Sequence, residues 1–323
     1  MRLPKYAVPI SVIGTIAGCT VLLKDYMGGK RYRGSERIAG KTVVITGATS
    51  GIGKETAMEL AKRGGRIIIG CRNTEKCEKV KQEIILETAN RSIECRKLDL
   101  ASYGSIRAFC KNINASESHI DVLINNAGIM MCPKMLTEDG IEMQLGVNHM
   151  GHFLLTQLLL DKLKASAPSR IIIVTSMSHK QGQINFDDLN SAKDYNKLDA
   201  YSQSKLANLL HMRELARRLE GTGVTVNALH PGVVNTNLHQ HLPMAKSTLS
   251  SIVLFPIKFI LMKTPLQGAQ TIIRLAIDPE LEHVTGKYFS DCEETAPASQ
   301  ALDDAAAKRL WAISEAWTRA NVE

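Results

Sequence analysis

The stretch KTVVITGATSGIGK, Lys41 to Lys54, constrains the fold more than any other part of the chain. KTVVIT is a short, β-rich apolar run that leads straight into a glycine cluster, and helical spacing follows from about Ile52 to Arg63. Glycine accepts positive φ and lets backbone N–H groups come close to a phosphate. A helix that begins there turns its positive end toward the same anion. Strand, glycine loop and helix in this order are the context that dinucleotide binding requires. Gly47, Thr49, Ser50, Gly51, Ile52 and Gly53 are therefore candidate cofactor contacts.

The alternation continues along the chain. Strands are expected at Arg66–Cys71, Ser92–Leu98, Ile120–Asn125, Arg170–Ser176 and Gly223–His230. Helices are expected at Thr74–Thr88, from about Thr137 to Lys164, and through Tyr201 to about Glu220. Strands separated by helices of this length imply a parallel sheet covered on both faces. Right-handed crossovers make it one α/β domain, a Rossmann-type doubly wound sheet.

Chemistry-bearing residues collect at the strand ends. The second strand closes on GCRN, with Arg72 where NAD-binding folds usually place an acid. A guanidinium pairs with a 2′-phosphate and a carboxylate repels one, so NADP(H) is the expected cofactor. Asp99 and Leu100 in LDL end the third strand, and Asn126, Ala127 and Gly128 in NNAG end the fourth. HPGVVNT ends the sixth, offering Pro231, Gly232, Val234 and Thr236. AYSQSK puts Tyr201 and Lys205 one helical turn apart, where side chains are neighbours. A cation beside a phenol favours phenolate, which would bring Tyr201 into the range of a usable proton donor and acceptor.

Together with Ser176 in VTSMSH and Asn148 in GVNHMGHF, these motifs resemble the short-chain dehydrogenase/reductase family over roughly residues 40–290. CRNTEKCE, FDDLN and GVTVNALHPGVV resemble its membrane-attached retinol dehydrogenase subgroup, from which GATSGIG and VTS depart slightly. The resemblance implies that Tyr201 is the general acid or base and that Lys205 lowers its pKa and holds the nicotinamide ribose. It also implies that Ser176 bonds the substrate oxygen and Asn148 positions a relay water. The implied reaction interconverts retinal and retinol, or a similar lipophilic aldehyde and alcohol. A reductase of a steroid or lipid-derived carbonyl is the alternative within the class. A non-catalytic cofactor-binding scaffold or redox sensor is the alternative outside it, and the intact Ser176, Tyr201 and Lys205 argue against that one.

Composition bears on the rest. Residues 1–37 carry seven basic and two acidic side chains, so this segment holds most of the net charge of +8. With aromatics at 5% and no basic stripe elsewhere, a nucleic-acid partner is not expected. The same segment contains an uncharged run from Tyr6 to Leu23 between Lys5 and Lys24. A run of this length is just enough to span a bilayer as a helix. A cleaved signal or a buried helix would fit it less well. The expected organisation is a membrane anchor and basic linker over residues 1–37, then a catalytic domain over residues 38–323. The resemblance places the protein at the mitochondrial inner membrane or the endoplasmic reticulum and assigns no oligomeric state. Ser247–Pro265 is expected to form an apolar lid for a lipophilic substrate. Seven cysteines without a C-x-x-C pair indicate neither a metal site nor a disulfide framework.

Overall fold

The computed structural model describes residues 7–234 and 262–319. Thr236 and all but the last four residues of the expected apolar lid lie outside the described residues. The first helix, α1 (Ala7–Met27), covers the uncharged run. Among the described residues, however, no helix is long and apolar enough to cross a membrane.

The described strands are β1 (Thr42–Thr46), β2 (Arg66–Cys71), β3 (Ile93–Lys97), β4 (Val122–Asn125), β5 (Ser169–Val174), β6 (Val224–His230), β7 (Tyr288–Ser290) and β8 (Glu293–Glu294). They form one sheet in the order β3-β2-β1-β4-β5-β6-β7-β8. All neighbours are parallel except the short β7–β8 edge. Side chains alternate across a strand, so each strand serves two cores. Val44, Ile68, Leu123 and Ile171 face one side, against α4 (Tyr103–Ser116), α6 (Gly151–Ala165), α7 (Lys197–Arg218) and α9 (Asp304–Thr318). Val43, Ile45, Ile67, Ile69 and Ile124 face the other, against α2 (Gly51–Lys62), α3 (Thr74–Thr88) and α8 (Pro265–Ile277). Burial on both faces explains why these strands read as continuous apolar runs rather than alternating ones.

Two expectations need correction. The long helix expected from Thr137 to Lys164 is broken into the short α5 (Met143–Leu145), a π-helical turn over Gly146–Met150, and α6. Thr137 itself lies in a tight turn, its hydroxyl accepting from the Ile141 N–H at 3.1 Å. Secondly, Cys77 of α3 and Cys95 of β3 are joined by a disulfide, with Cα atoms 6.0 Å apart. Their separation of 18 positions hid a pairing that only the α3–β3 packing brings together. The end of α1 and the linker after it are docked on the rest of the domain. The Lys24 ammonium donates to the Met262 carbonyl, and the Tyr32 N–H donates to Gln270 Oε1 at 3.1 Å. Lys30 pairs with Glu293, and the Cys292 thiol donates to the Lys30 carbonyl.

A charge cluster ties the sheet edge to the end of α4. Arg66 Nε donates to Glu117 Oε2 at 2.8 Å, and Arg96 also pairs with Glu117. Both arginines reach Glu94 as well. The hydrogen bond from Arg66 leads in pulling the Glu117 carboxyl down to about 2. A depressed carboxylate stabilises the fold above its ordinary value near ~4.3 and loses that contribution as pH falls through about 2. Glu117→Gln should therefore cost about 1–3 kcal/mol at pH 7. The gap to wild type in denaturant melts should narrow as the pH is lowered and close near pH 2. A gap that is the same at both pH values would contradict the assignment.

Candidate active site

The site is built where β1 meets β4. Gly47 follows β1 with φ +70°, and a Cβ on it would lie 2.8 Å from the Ala127 Cα. Only glycine allows the loop to lie against the end of β4. A Cβ on Gly53 would meet Asn126 Nδ2 at 2.5 Å. That same amide donates to the Thr46 carbonyl at 2.8 Å. The glycine loop and NNAG are thus interlocked, and the first turn of α2 opens into a cleft of about 760 Å³.

Eighteen of the twenty residues singled out from the sequence line this one cleft. They are the glycine-loop set, Arg72, Asp99, Leu100, Asn126, Ala127, Gly128, Ser176, Tyr201, Lys205, Pro231, Gly232 and Val234. Arg72 is exposed on the wall, just before Asn73, whose side chain caps α3 by accepting from the Lys76 N–H at 2.7 Å. Lys76 lines the same wall, a second cation that went unnoticed because it sits in a charged helix that looks solvated throughout. Asp99 is held by the Ala101 N–H, which donates to its Oδ1 at 2.9 Å.

At the other end, Ser176 caps the 3₁₀ turn after β5, accepting from the Ser178 N–H at 3.2 Å. Tyr201 and Lys205 lie on the buried face of α7. Burial raises the Tyr201 phenol, while a hydrogen bond with Ser176 lowers it. The expectation that Lys205 lowers the phenol is therefore corrected: the net shift is upward, and Ser176 rather than Lys205 opposes it. The ammonium lies 5.8 Å from the phenol ring centroid and donates to the Val174 carbonyl at 3.2 Å. Burial pushes Lys205 down to about 8. The FDDLN segment is tied to α7 by Gln203, which accepts from the Asn185 N–H at 2.9 Å and donates to the Leu189 carbonyl at 3.0 Å.

Asn148 stands behind the cleft rather than in it. Its Oδ1 accepts from the Ile129 N–H at 2.9 Å, and its Nδ2 donates to the Ile129 carbonyl and the Ser204 hydroxyl at 3.0 and 2.9 Å. The amide expected to position a water is spent on protein partners. The π turn at Gly146–Met150 is what puts it there, consistent with the placing of such turns at functional sites. Beyond Gly232, at φ +84°, the Lys263–Asp291 ion pair lies against the loop, which the sequence reading also missed. No local signal links Lys263 to Asp291, 28 positions away.

Residues 41–246 match the short chain dehydrogenase family. The chain is 55% identical to human retinol dehydrogenase 13 over 311 residues, covering 96% of this chain and 94% of that one. Among solved structures, an uncharacterized protein from Mycobacterium paratuberculosis is 38% identical with a TM-score of 0.71, over 88% of this chain and 95% of that one. A short chain dehydrogenase from Escherichia coli CFT073, solved in complex with NADPH, is 25% identical with a TM-score of 0.64, over 80% of this chain and 100% of that one. The sheet, the interlocked glycine loop and these matches agree, and the chain belongs to the short-chain dehydrogenase family of oxidoreductases.

Proposed function

We propose that this enzyme interconverts retinal and retinol, or a closely similar lipophilic aldehyde and alcohol, using NADP(H). The observation that carries the reading is the meeting of Ser176, Tyr201 and Lys205 in the cleft that also holds the glycine loop. Gly47 and Gly53 leave the close backbone approach that a dinucleotide needs. The nicotinamide supplies the hydride when it is bound. Tyr201 gives its phenolic proton to the carbonyl oxygen in reduction and takes it back in oxidation. Ser176 donates a hydrogen bond to the same oxygen and stabilises the charge that develops on it. Lys205, with its pKa near 8, is largely protonated at neutral pH and gives the phenol a nearby positive charge. Asn148 acts by holding Ile129 and Ser204 in place. The retinoid rests on the likeness to retinol dehydrogenase 13.

An aldehyde panel tests the substrate: retinal should be turned over faster than steroid or lipid-derived carbonyls, and a steroid preference would reassign it. Tyr201→Phe should lower turnover about 10²–10⁴-fold while leaving cofactor binding nearly intact. Unchanged turnover in the purified variant would sink the mechanism.

Arg72 sets the cofactor preference by pairing with the 2′-phosphate. A charge-assisted hydrogen bond is worth about 1.5–3 kcal/mol, so Arg72→Asp should weaken NADPH binding at least ~10-fold and favour NADH relative to wild type. Equal wild-type affinity for the two cofactors would contradict this role.

The uncharged run between Lys5 and Lys24 supports a membrane anchor ahead of a catalytic domain. Because Gly28 to Tyr32 pack on that domain, the cleanest truncation removes residues 1–27. The shortened protein should move from the membrane pellet to the soluble fraction and still turn over a water-soluble aldehyde. An active truncated protein that stays in the pellet after a carbonate wash would show that the anchor lies elsewhere.

A further inference from the structure

His152 lies in α6, fully inside the protein, between the two halves of the site. Its Nδ1 is 3.1 Å from the Asn148 carbonyl oxygen, and its Nε2 is 2.9 Å from the Thr46 hydroxyl. A carbonyl can only accept, so Nδ1 carries the proton. Nε2 is then the acceptor, and the Thr46 hydroxyl donates to it. That leaves two lone pairs on Thr46 Oγ1, which accept from the N–H groups of Asn126 and Ala127 at 3.0 and 2.9 Å. The Thr46 hydroxyl also lies 3.4 Å from the Ile124 carbonyl, a longer contact than its 2.9 Å approach to Nε2. Burial pushes the imidazole down to about 3, so it stays neutral at working pH and the tautomer is not disturbed.

Each end of the imidazole leads to a different function. Through Thr46 it reaches Asn126 and Ala127, the residues against which Gly47 packs. Through Asn148 it reaches Ser204, whose hydroxyl donates to the Tyr201 carbonyl at 2.7 Å. We propose that His152 is a positioning residue that, as its Nδ1–H tautomer, sets the cofactor cradle at the end of β1 and β4 in register with the turn of α7 that carries Tyr201. It touches neither substrate nor cofactor. Its effect on rate passes through Tyr201, so the inference rests on the proposed role of that phenol.

Two substitutions separate its two bonds. His152→Asn keeps a donor near the Nδ1 position, for the Asn148 carbonyl, and loses the bond from Thr46. His152→Gln keeps an acceptor near Nε2, for Thr46, and loses the bond to Asn148. The Asn variant should raise the Kd for NADPH about 3- to 10-fold with kcat little changed. The Gln variant should lower kcat by a similar factor with Kd little changed. Thr46→Val, which also strips the acceptor from the Asn126 and Ala127 N–H groups, should raise the Kd at least as far, and His152→Asn should add nothing on top of it. Histidine ¹⁵N spectra of the wild-type protein should show His152 protonated at Nδ1. A residue that only fills space would move Kd and kcat together, in step with lost thermal stability, and that outcome would overturn the proposal. So would an Nε2–H tautomer in the spectra, which applies even if the variants fail to fold. An active Tyr201→Phe enzyme would defeat the proton-donor reading while leaving the tautomer and the Kd effect standing, so the two failures are distinguishable.

Discussion

The pairing of β1 with β2 on one side and β4 on the other is the constraint from which the site follows. The chain leaves β1 through α2 toward β2 and β3, then returns to β4 on the opposite side. The two connections diverge, and a crevice opens at the carboxyl ends of the strands between them. The glycine loop, Arg72, Asp99, NNAG, Ser176 and His230 all sit at such ends. Their separation in sequence is erased by the parallel register alone.

Desolvation sets the chemistry of that crevice. Tyr201 and Lys205 are both about 3% exposed, so each pays for its charged form, and the penalties run in opposite directions. The phenol is driven up and the ammonium down. From nearly equal ordinary values, 10.0 for the phenol and 10.5 for the ammonium, the two are driven apart, so the phenol keeps its proton for delivery and the lysine becomes the easier of the two to deprotonate. Ser176, by bonding the phenol, offsets part of its rise.

Much of this was legible in the sequence, and for identifiable reasons. Apolar runs such as RIIIGC carry enough β-branched residues to mark strands, and β2 begins and ends where that run does. Strand-end motifs are local, so Gly47, Arg72, Ser176 and Tyr201 could be picked out one by one. What escaped was set by contacts between distant segments. The π turn at Gly146–Met150 carries Asn148 to its bonds with Ile129 and Ser204, contacts between distant segments that no local pattern announces. The Cys77–Cys95 bond requires α3 to lie on β3. His152 looked like one more residue of an amphipathic helix, because its importance lies in what β1 and β4 bring to it. The helix Tyr103–Ser116 was passed over even though Ile106, Phe109, Cys110 and Ile113 recur at helical spacing on one buried face.

The docked linker carries a mechanical consequence. A disordered stretch of this length would let a catalytic domain swing and tumble beneath its attachment point. Here Lys24, Lys30 and Tyr32 are bonded to Met262, Glu293 and Gln270, beside the pair that braces Gly232. The connection acts as a bracket, not a leash. Were α1 held at a surface as the proposed anchor requires, the cleft would keep a set height and angle above it, and a substrate dissolved in that surface would reach it by lateral diffusion rather than by chance rotation of the enzyme.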